Sequence, residues 1–260
     1  MTVTGGAISQ RRADSLEVRV YPDRAALGRA AGADIARAMR ELLAVRERIR
    51  MVFAAAPSQN ETLEALVREE LPWERVTAFH MDEYIGLAPD APQRFGQFLR
   101  ERLFDAVRPG TVHYIDGTSD PETECERYAG LLREAPIDLV CLGIGENGHL
   151  AFNDPPVADF ADSLTVKPVE LDESCRRQQV NDGCFARIED VPRRALTMTV
   201  PALFAGGQLF CAVPGRTKRQ AVQRTLTGEI AADCPATVLR RHPRCTLYVD
   251  RDAAEEWAGE

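Results

Sequence analysis

The segment Gly143-Ile-Gly-Glu-Asn-Gly-His-Leu-Ala-Phe-Asn-Asp-Pro-Pro156 places Glu146, Asn147, His149, Asn153 and Asp154 within nine residues. These are the side-chain types that move protons and hold polar substrate groups near neutral pH. A second cluster, Phe79-His-Met-Asp-Glu-Tyr84, sets two adjacent carboxylates, Asp82 and Glu83, beside apolar residues. A carboxylate partly shielded by Phe79 and Tyr84 would have the raised pKa expected of a general base. The cations Lys218, Arg176 and Arg177 form a third group. Lys218 begins a helix after Val213-Pro-Gly-Arg-Thr, a suitable oxyanion or phosphate site.

The elements behind these clusters follow from hydrophobic period. Ile137 and Leu139 to Leu142 read as a buried strand, and Gly143, Gly145 and Gly148 let the chain turn at its carboxyl end. Leu16 to Tyr21 alternates as a strand, and residues 23–45 carry Leu27, Ala31, Ile35, Met39 and Leu42 at helical spacing. Further strands are expected at 50–56, 75–81, 111–115, 164–171, 195–200, 208–213 and 245–249. Helices are expected from Ser58 or Asn60 to about 70, and at 95–106, 122–134 and 217–226. Residues 171–182 read as a polar loop, and 153–162, rich in Pro and Asp, as an active-site loop. Alternating strands and helices imply an α/β fold: a doubly wound, mostly parallel sheet with helices on both faces. In such a sheet the ends of the strands preceding Asp82 and His149 share one edge, where ligands bind.

Gly143-Ile-Gly-Glu-Asn-Gly148 also fits the G-x-G-x-x-G dinucleotide fingerprint. That fingerprint must open a helix, and Pro155 and Pro156 deny one here. Nicotinamide binding is therefore not expected.

The chain has 260 residues, 45% of them hydrophobic, most economically one domain over 15–260 behind a flexible polar tail at 1–14. Its net charge of -8 and lack of a basic stripe argue against nucleic acid or a membrane surface as partner. Seven scattered cysteines without a Cys-x-x-Cys pair suggest neither a zinc site nor a disulfide framework, and a reducing cytoplasm is the expected compartment. No run of 18 apolar residues occurs.

Met81-Asp-Glu-Tyr-Ile-Gly-Leu87, Gly143 to Pro155 and Pro214-Gly-Arg-Thr-Lys218 together resemble the glucosamine-6-phosphate deaminase/isomerase family, in order and spacing from about residue 16 to 249. That superfamily also contains 6-phosphogluconolactonases, and the Ala-Phe-Asn-acid-Pro continuation favours the deaminase branch. The resemblance implies a modified Rossmann-like sheet, a sugar-phosphate substrate, and conversion of an amino-sugar phosphate to a ketose phosphate and ammonia without metal or redox cofactor. By position it makes Asp82 the base acting on C2 and C1 and His149 the group that opens the ring. It makes Asp154 and Asn147 the pair that orients the imidazole, and Lys218 and Arg176, or alternatively Arg177, the phosphate ligands. Glu83, Ser58, Gln59, Asn60 and Gly148 complete the expected substrate contacts. A homo-oligomer is a frequent state in the family.

Three departures stand out. Where the family commonly has a Gly-Gly-Ser/Thr-Pro phosphate loop, this chain has Ala54-Ala-Ala-Pro-Ser-Gln-Asn-Glu61. Asp154 stands where many members carry Glu, and Asn147 where some carry Asp, which removes one charge partner for His149. Two other readings remain at this stage. One is lactone hydrolysis through His149-activated water, which does not need Asp82. The other is a noncatalytic sugar-phosphate sensor.

Overall fold

The computed structural model describes residues 6–254. Eight strands form the main sheet: β1 (Ser9–Ala13), β2 (Leu16–Tyr21), β3 (Ile49–Phe53), β4 (Val76–His80), β6 (Thr111–His113), β7 (Leu139–Leu142), β10 (Gln208–Val213) and β11 (Cys245–Asp250). Their spatial order is β1-β2-β11-β10-β7-β3-β4-β6, and every pair is parallel except β1 with β2. A second, antiparallel sheet joins β5 (Asp82–Tyr84), β9 (Arg194–Met198) and β8 (Val166–Glu170) in the order β5-β9-β8.

Successive residues of each parallel strand face opposite cores, as a pleated strand buried on both sides requires. Met51 and Phe53, Leu139 and Cys141, and Phe210 and Ala212 enter one core with Leu27, Ile35 and Met39 of α1 (Arg24–Leu43) and Leu63 and Leu66 of α2 (Asn60–Val67). Val52, Val140, Leu142, Leu209 and Cys211 enter the other with Tyr128 and Leu132 of α5 (Pro121–Arg133) and Val222 and Leu226 of α8 (Arg219–Thr227). This is the expected doubly wound, mostly parallel arrangement. The remaining helices are α3 (Phe95–Leu99), which passes through one π-helical turn into α4 (Asp105–Val107), then α6 (Glu173–Asn181), α7 (Val200–Phe204) and α9 (Arg251–Ala254).

Three expectations need correction. Within the expected flexible tail at 1–14, residues 1–5 lie outside the described residues, but Ser9–Ala13 is an edge strand running antiparallel to β2. Its polar residues suit an edge that faces water on one side, and Asp14, at φ +52°, makes the turn. The strands at 166–170 and 194–198 do not extend the parallel sheet; 194–198 pairs antiparallel with Asp82–Tyr84 on one side and with 166–170 on the other. Residues 173–181, expected as loop, form a helix whose N-cap Asp172 accepts from the Cys175 amide at 2.6 Å.

Strands β10, β7, β3 and β4 are adjacent, central and parallel, so their carboxyl ends lie along one edge. The chain leaves β3 toward β4 on one side and passes from β7 to β10 on the other. The crevice between β3 and β7 is thus a topological switch point, where open α/β sheets bind ligands.

Candidate active site

Each of those four strands delivers residues to one cleft of about 530 Å³, open mouth included. Ala54, Ala55, Ala56, Ser58 and Gln59 follow β3, Met81 and Asp82 follow β4, Gly143, Ile144, Gly145, His149, Ala151 and Phe152 follow β7, and Lys218 follows β10. The face of α6 closes it with Gln178, Gln179 and Asp182.

His149 lies on this cleft with its imidazole flat against Gly145. A Cβ on Gly145 would fall 2.1–2.4 Å from three ring atoms, so only glycine lets the ring occupy this position. Behind the ring, Nδ1 lies 2.9 Å from Asp154 Oδ1. Asn147 Nδ2 donates to the same oxygen at 2.8 Å, and Asn147 Oδ1 accepts from the His149 amide at 3.0 Å. Burial alone would push the Asp154 carboxyl up, but the imidazole, Asn147 and Cys175 around it more than offset this and hold it below the ordinary carboxylate range. Asp154 is 1% exposed.

The loop is anchored on β9. The Phe152 amide donates to Thr197 Oγ1 at 3.1 Å, and Asn153 Nδ2 donates to Leu150 O and Met198 O, each at 2.8 Å. Ala151 takes a left-handed conformation, φ +51°, within this turn. Asp82 pairs in register with the same Thr197, from the opposite side of β9 to β8.

The Asp82 side chain is 6% exposed, faces the cleft, and accepts no hydrogen bond from the described residues. Desolvation, aided by the neighbouring Glu83 charge, pushes its carboxyl well above the usual range. The shielding differs from the expected one. Phe79 faces the opposite core, while Met81, Phe95 and Phe152 line the cleft with Asp82, the two phenyl rings stacked 5.5 Å apart.

Lys218, 4% exposed, ends the 3₁₀ turn Arg216–Lys218 ahead of α8. Burial pulls its pKa down, partly offset by Asp182 and Glu146. Ser58 and Gln59 also line the cleft, but the Gln59 amide is committed to Ala212 O at 3.1 Å and Ser58 Oγ at 3.2 Å.

Four expected substrate contacts do not reach the cleft. The Glu83 carboxylate points away, accepting from the amides of Tyr84, Phe95 and Gly96 at 3.0–3.1 Å, so it caps α3. Arg176 donates to Ile188 O and Val191 O and ties down the segment after α6. Its alternative, Arg177, pairs with Glu173 one turn back on the exposed side. Asn60 opens α2, and Gly148, at φ +90°, makes the turn against Cys234. Sequence reasoning missed Gln178, Gln179 and Asp182 as cleft residues. With Cys175 they recur at i, i+3, i+4 and i+7, one helical face, a signal hidden because that face is polar.

A ring nitrogen of His149, an Asp154 carboxylate oxygen and Cys175 Sγ lie within 4.8 Å of one another, the one group of three such metal-type donors among the described residues. All seven cysteines are free thiols. No helix among the described residues is long and apolar enough to cross a membrane.

Comparison with known proteins follows the same line. Over 192 residues the chain is 40% identical to a glucosamine-6-phosphate deaminase of an Exiguobacterium species, covering 74% of each chain. Over 202 residues it is 38% identical to one from Listeria innocua, covering 77% of this chain and 84% of that one. Among solved structures, a monomeric glucosamine-6-phosphate deaminase superposes with TM-score 0.83 at 29% identity, covering 92% of this chain and 98% of that chain. A 6-phosphogluconolactonase from Thermotoga maritima, at TM-score 0.75 and 22% identity over 90% and 99% of the two chains, shares the fold. The pattern defining the glucosamine-6-phosphate isomerase/6-phosphogluconolactonase family matches residues 22–248; the chain belongs to that family.

Proposed function

We propose that the protein is an enzyme that converts an amino-sugar phosphate, glucosamine 6-phosphate, and water to fructose 6-phosphate and ammonia. The observation that carries this reading is the convergence of a desolvated carboxylate, Asp82, and a carboxylate-backed imidazole, His149, on one cleft. The relatives named glucosamine-6-phosphate deaminase at up to 40% identity support it.

The chemistry requires two proton movements, and each has a suited group. Ring opening moves a proton from the anomeric hydroxyl to the ring oxygen, which one imidazole facing both atoms can relay. Asp154 and Asn147 hold that imidazole in place, so their contribution is orientation rather than contact with the sugar. In the open chain, Asp82 takes the C2 proton to give an enolamine and returns it to C1. The nitrogen at C2 is then an imine carbon's partner, and water replaces it, releasing ammonia and leaving the ketone. A carboxylate with a raised pKa is a stronger base than an ordinary one. Lys218 is the cation suited to the phosphate, fixing the distance of C1 and C2 from Asp82. The reducing interior of the cell is the compartment we assign to this reaction.

Purified protein given glucosamine 6-phosphate should release ammonium and fructose 6-phosphate in equal amounts, and Asp82→Asn should abolish both. Hydrolysis of 6-phosphogluconolactone surviving in Asp82→Asn, without ammonium from the wild type, would instead favour the lactonase. Ligand-induced stabilisation without any turnover would favour a sensor.

A further inference from the structure

The cleft is poor in positive charge for a site that takes a phosphate dianion. Lys218 is the only Lys or Arg among the described cleft-lining residues, and Asp182 lines the same cleft. Asp182 and Glu146 both act electrostatically on Lys218, so its charge is opposed before any ligand arrives. The two arginines of α6 are spent elsewhere, Arg176 on backbone carbonyls and Arg177 on Glu173. Arg24 feels Asp182 as well, but its guanidinium is bound to Glu61 at 2.8 and 3.0 Å and to Pro57 O at 3.1 Å, outside the cleft lining. The helix face that closes the cleft offers the amides Gln178 and Gln179, which bond tetrahedral oxygens without neutralising them.

Two features keep Asp182 where it is. It is the C-cap residue of α6, its amide donating to Gln178 O at 2.8 Å, and its Oδ2 accepts from Gln178 Nε2 at 3.3 Å. Gln178 Oε1 in turn accepts from the Glu146 amide at 2.7 Å, which ties α6 to the loop bearing His149. The carboxylate is thus part of the cleft wall.

We propose that Asp182 is a specificity residue that tunes the anion subsite at Lys218 to a singly charged tetrahedral ester. An amino sugar carrying a 6-sulfate is then accepted beside the 6-phosphate. A phosphate monoester is largely a dianion at neutral pH, its second pKa being about 6. A sulfate ester has the same shape and one charge. Lys218 balances one charge, and the second charge of a phosphate faces Asp182 uncompensated. This rests on the reading that the cleft takes a 6-substituted amino sugar, and it names the class of ester.

The test compares kcat/KM for glucosamine 6-phosphate and glucosamine 6-sulfate in the wild type, Asp182→Asn and Lys218→Met. Removing the Asp182 charge benefits a dianion more than a monoanion, so the phosphate-to-sulfate ratio should rise about fivefold in Asp182→Asn, the effect of one charge near a half-buried carboxylate. It should fall in Lys218→Met. A general disturbance of the fold would move both substrates together and leave the ratio unchanged. No turnover of the sulfate by a wild type that consumes the phosphate, or a ratio that moves by less than about threefold in Asp182→Asn, overturns the proposal. If the wild type releases ammonium from neither sugar, the deaminase reading falls. The same ratio, read as calorimetric affinities for the two sugars, then decides the charge selectivity on its own.

Discussion

Replacing Gly145 by Ala tests whether the chemistry depends on where the imidazole sits. The new methyl would begin 2.1 Å from one ring atom of His149, against the 3.4 Å of ordinary contact, so the ring must retreat by about 1.3 Å. The backbone at Gly145 is not left-handed, so alanine adopts it without strain, and the change acts through the ring alone. The same retreat disturbs the 2.9 Å approach of Nδ1 to Asp154. Misplacing a catalytic group by about 1 Å costs roughly 10²-fold in rate, so kcat for ammonium release should fall by about that factor. KM should stay close to the wild-type value because Lys218 is not among the atoms the new methyl meets. Steady-state kinetics beside a thermal melt checks this. A kcat within about threefold of wild type in a normally folded variant would refute the role given to ring placement.

Three other outcomes follow from the structure. Arg176→Met should destabilise the protein by about 1–3 kcal/mol, measured by denaturant unfolding, because it strips partly buried carbonyls of a charged donor, while KM stays unchanged. Glu83→Ala should cost stability by a similar amount by removing the carboxylate that accepts from three amides around α3, without the loss of turnover that Asp82→Asn causes. The Asp82 carboxyl has a folded-state pKa above its unfolded value, so its ionisation costs stability as pH rises. Asp82→Asn should therefore melt higher than wild type at neutral pH, with the gap shrinking as pH falls toward about 4, the ordinary Asp value. A gap independent of pH would contradict the desolvated carboxylate.

The parallel core was legible because its strands are apolar on both faces and its helices carry a clear 3.6-residue period. That pattern alone places Asp82 and His149 at one edge of the sheet. The second sheet was not legible, since Asp82–Tyr84 is three residues long and its pairing partner lies more than a hundred residues away. Helix α6 escaped because its inward face is Cys175, Gln178, Gln179 and Asp182, and a polar face toward a cleft defeats hydrophobic periodicity. Arg176 and Glu83 were the right types for substrate contact, yet both satisfy backbone groups. Sequence gives a side chain's chemistry, while only the surrounding carbonyls and amides decide whether it is available.

Strand β9 gives the site its internal gauge. One residue, Thr197, sits opposite Asp82 in the ladder and also receives the amide of Phe152 from the histidine loop. The spacing between base and acid is thereby fixed by a ladder register, which changes only in whole steps. The wall formed by residues 54–59 hangs instead on β3, in the other sheet. Lineages can therefore rewrite what the enzyme grips while the proton-moving pair stays in calibration, like interchangeable jaws on a single frame.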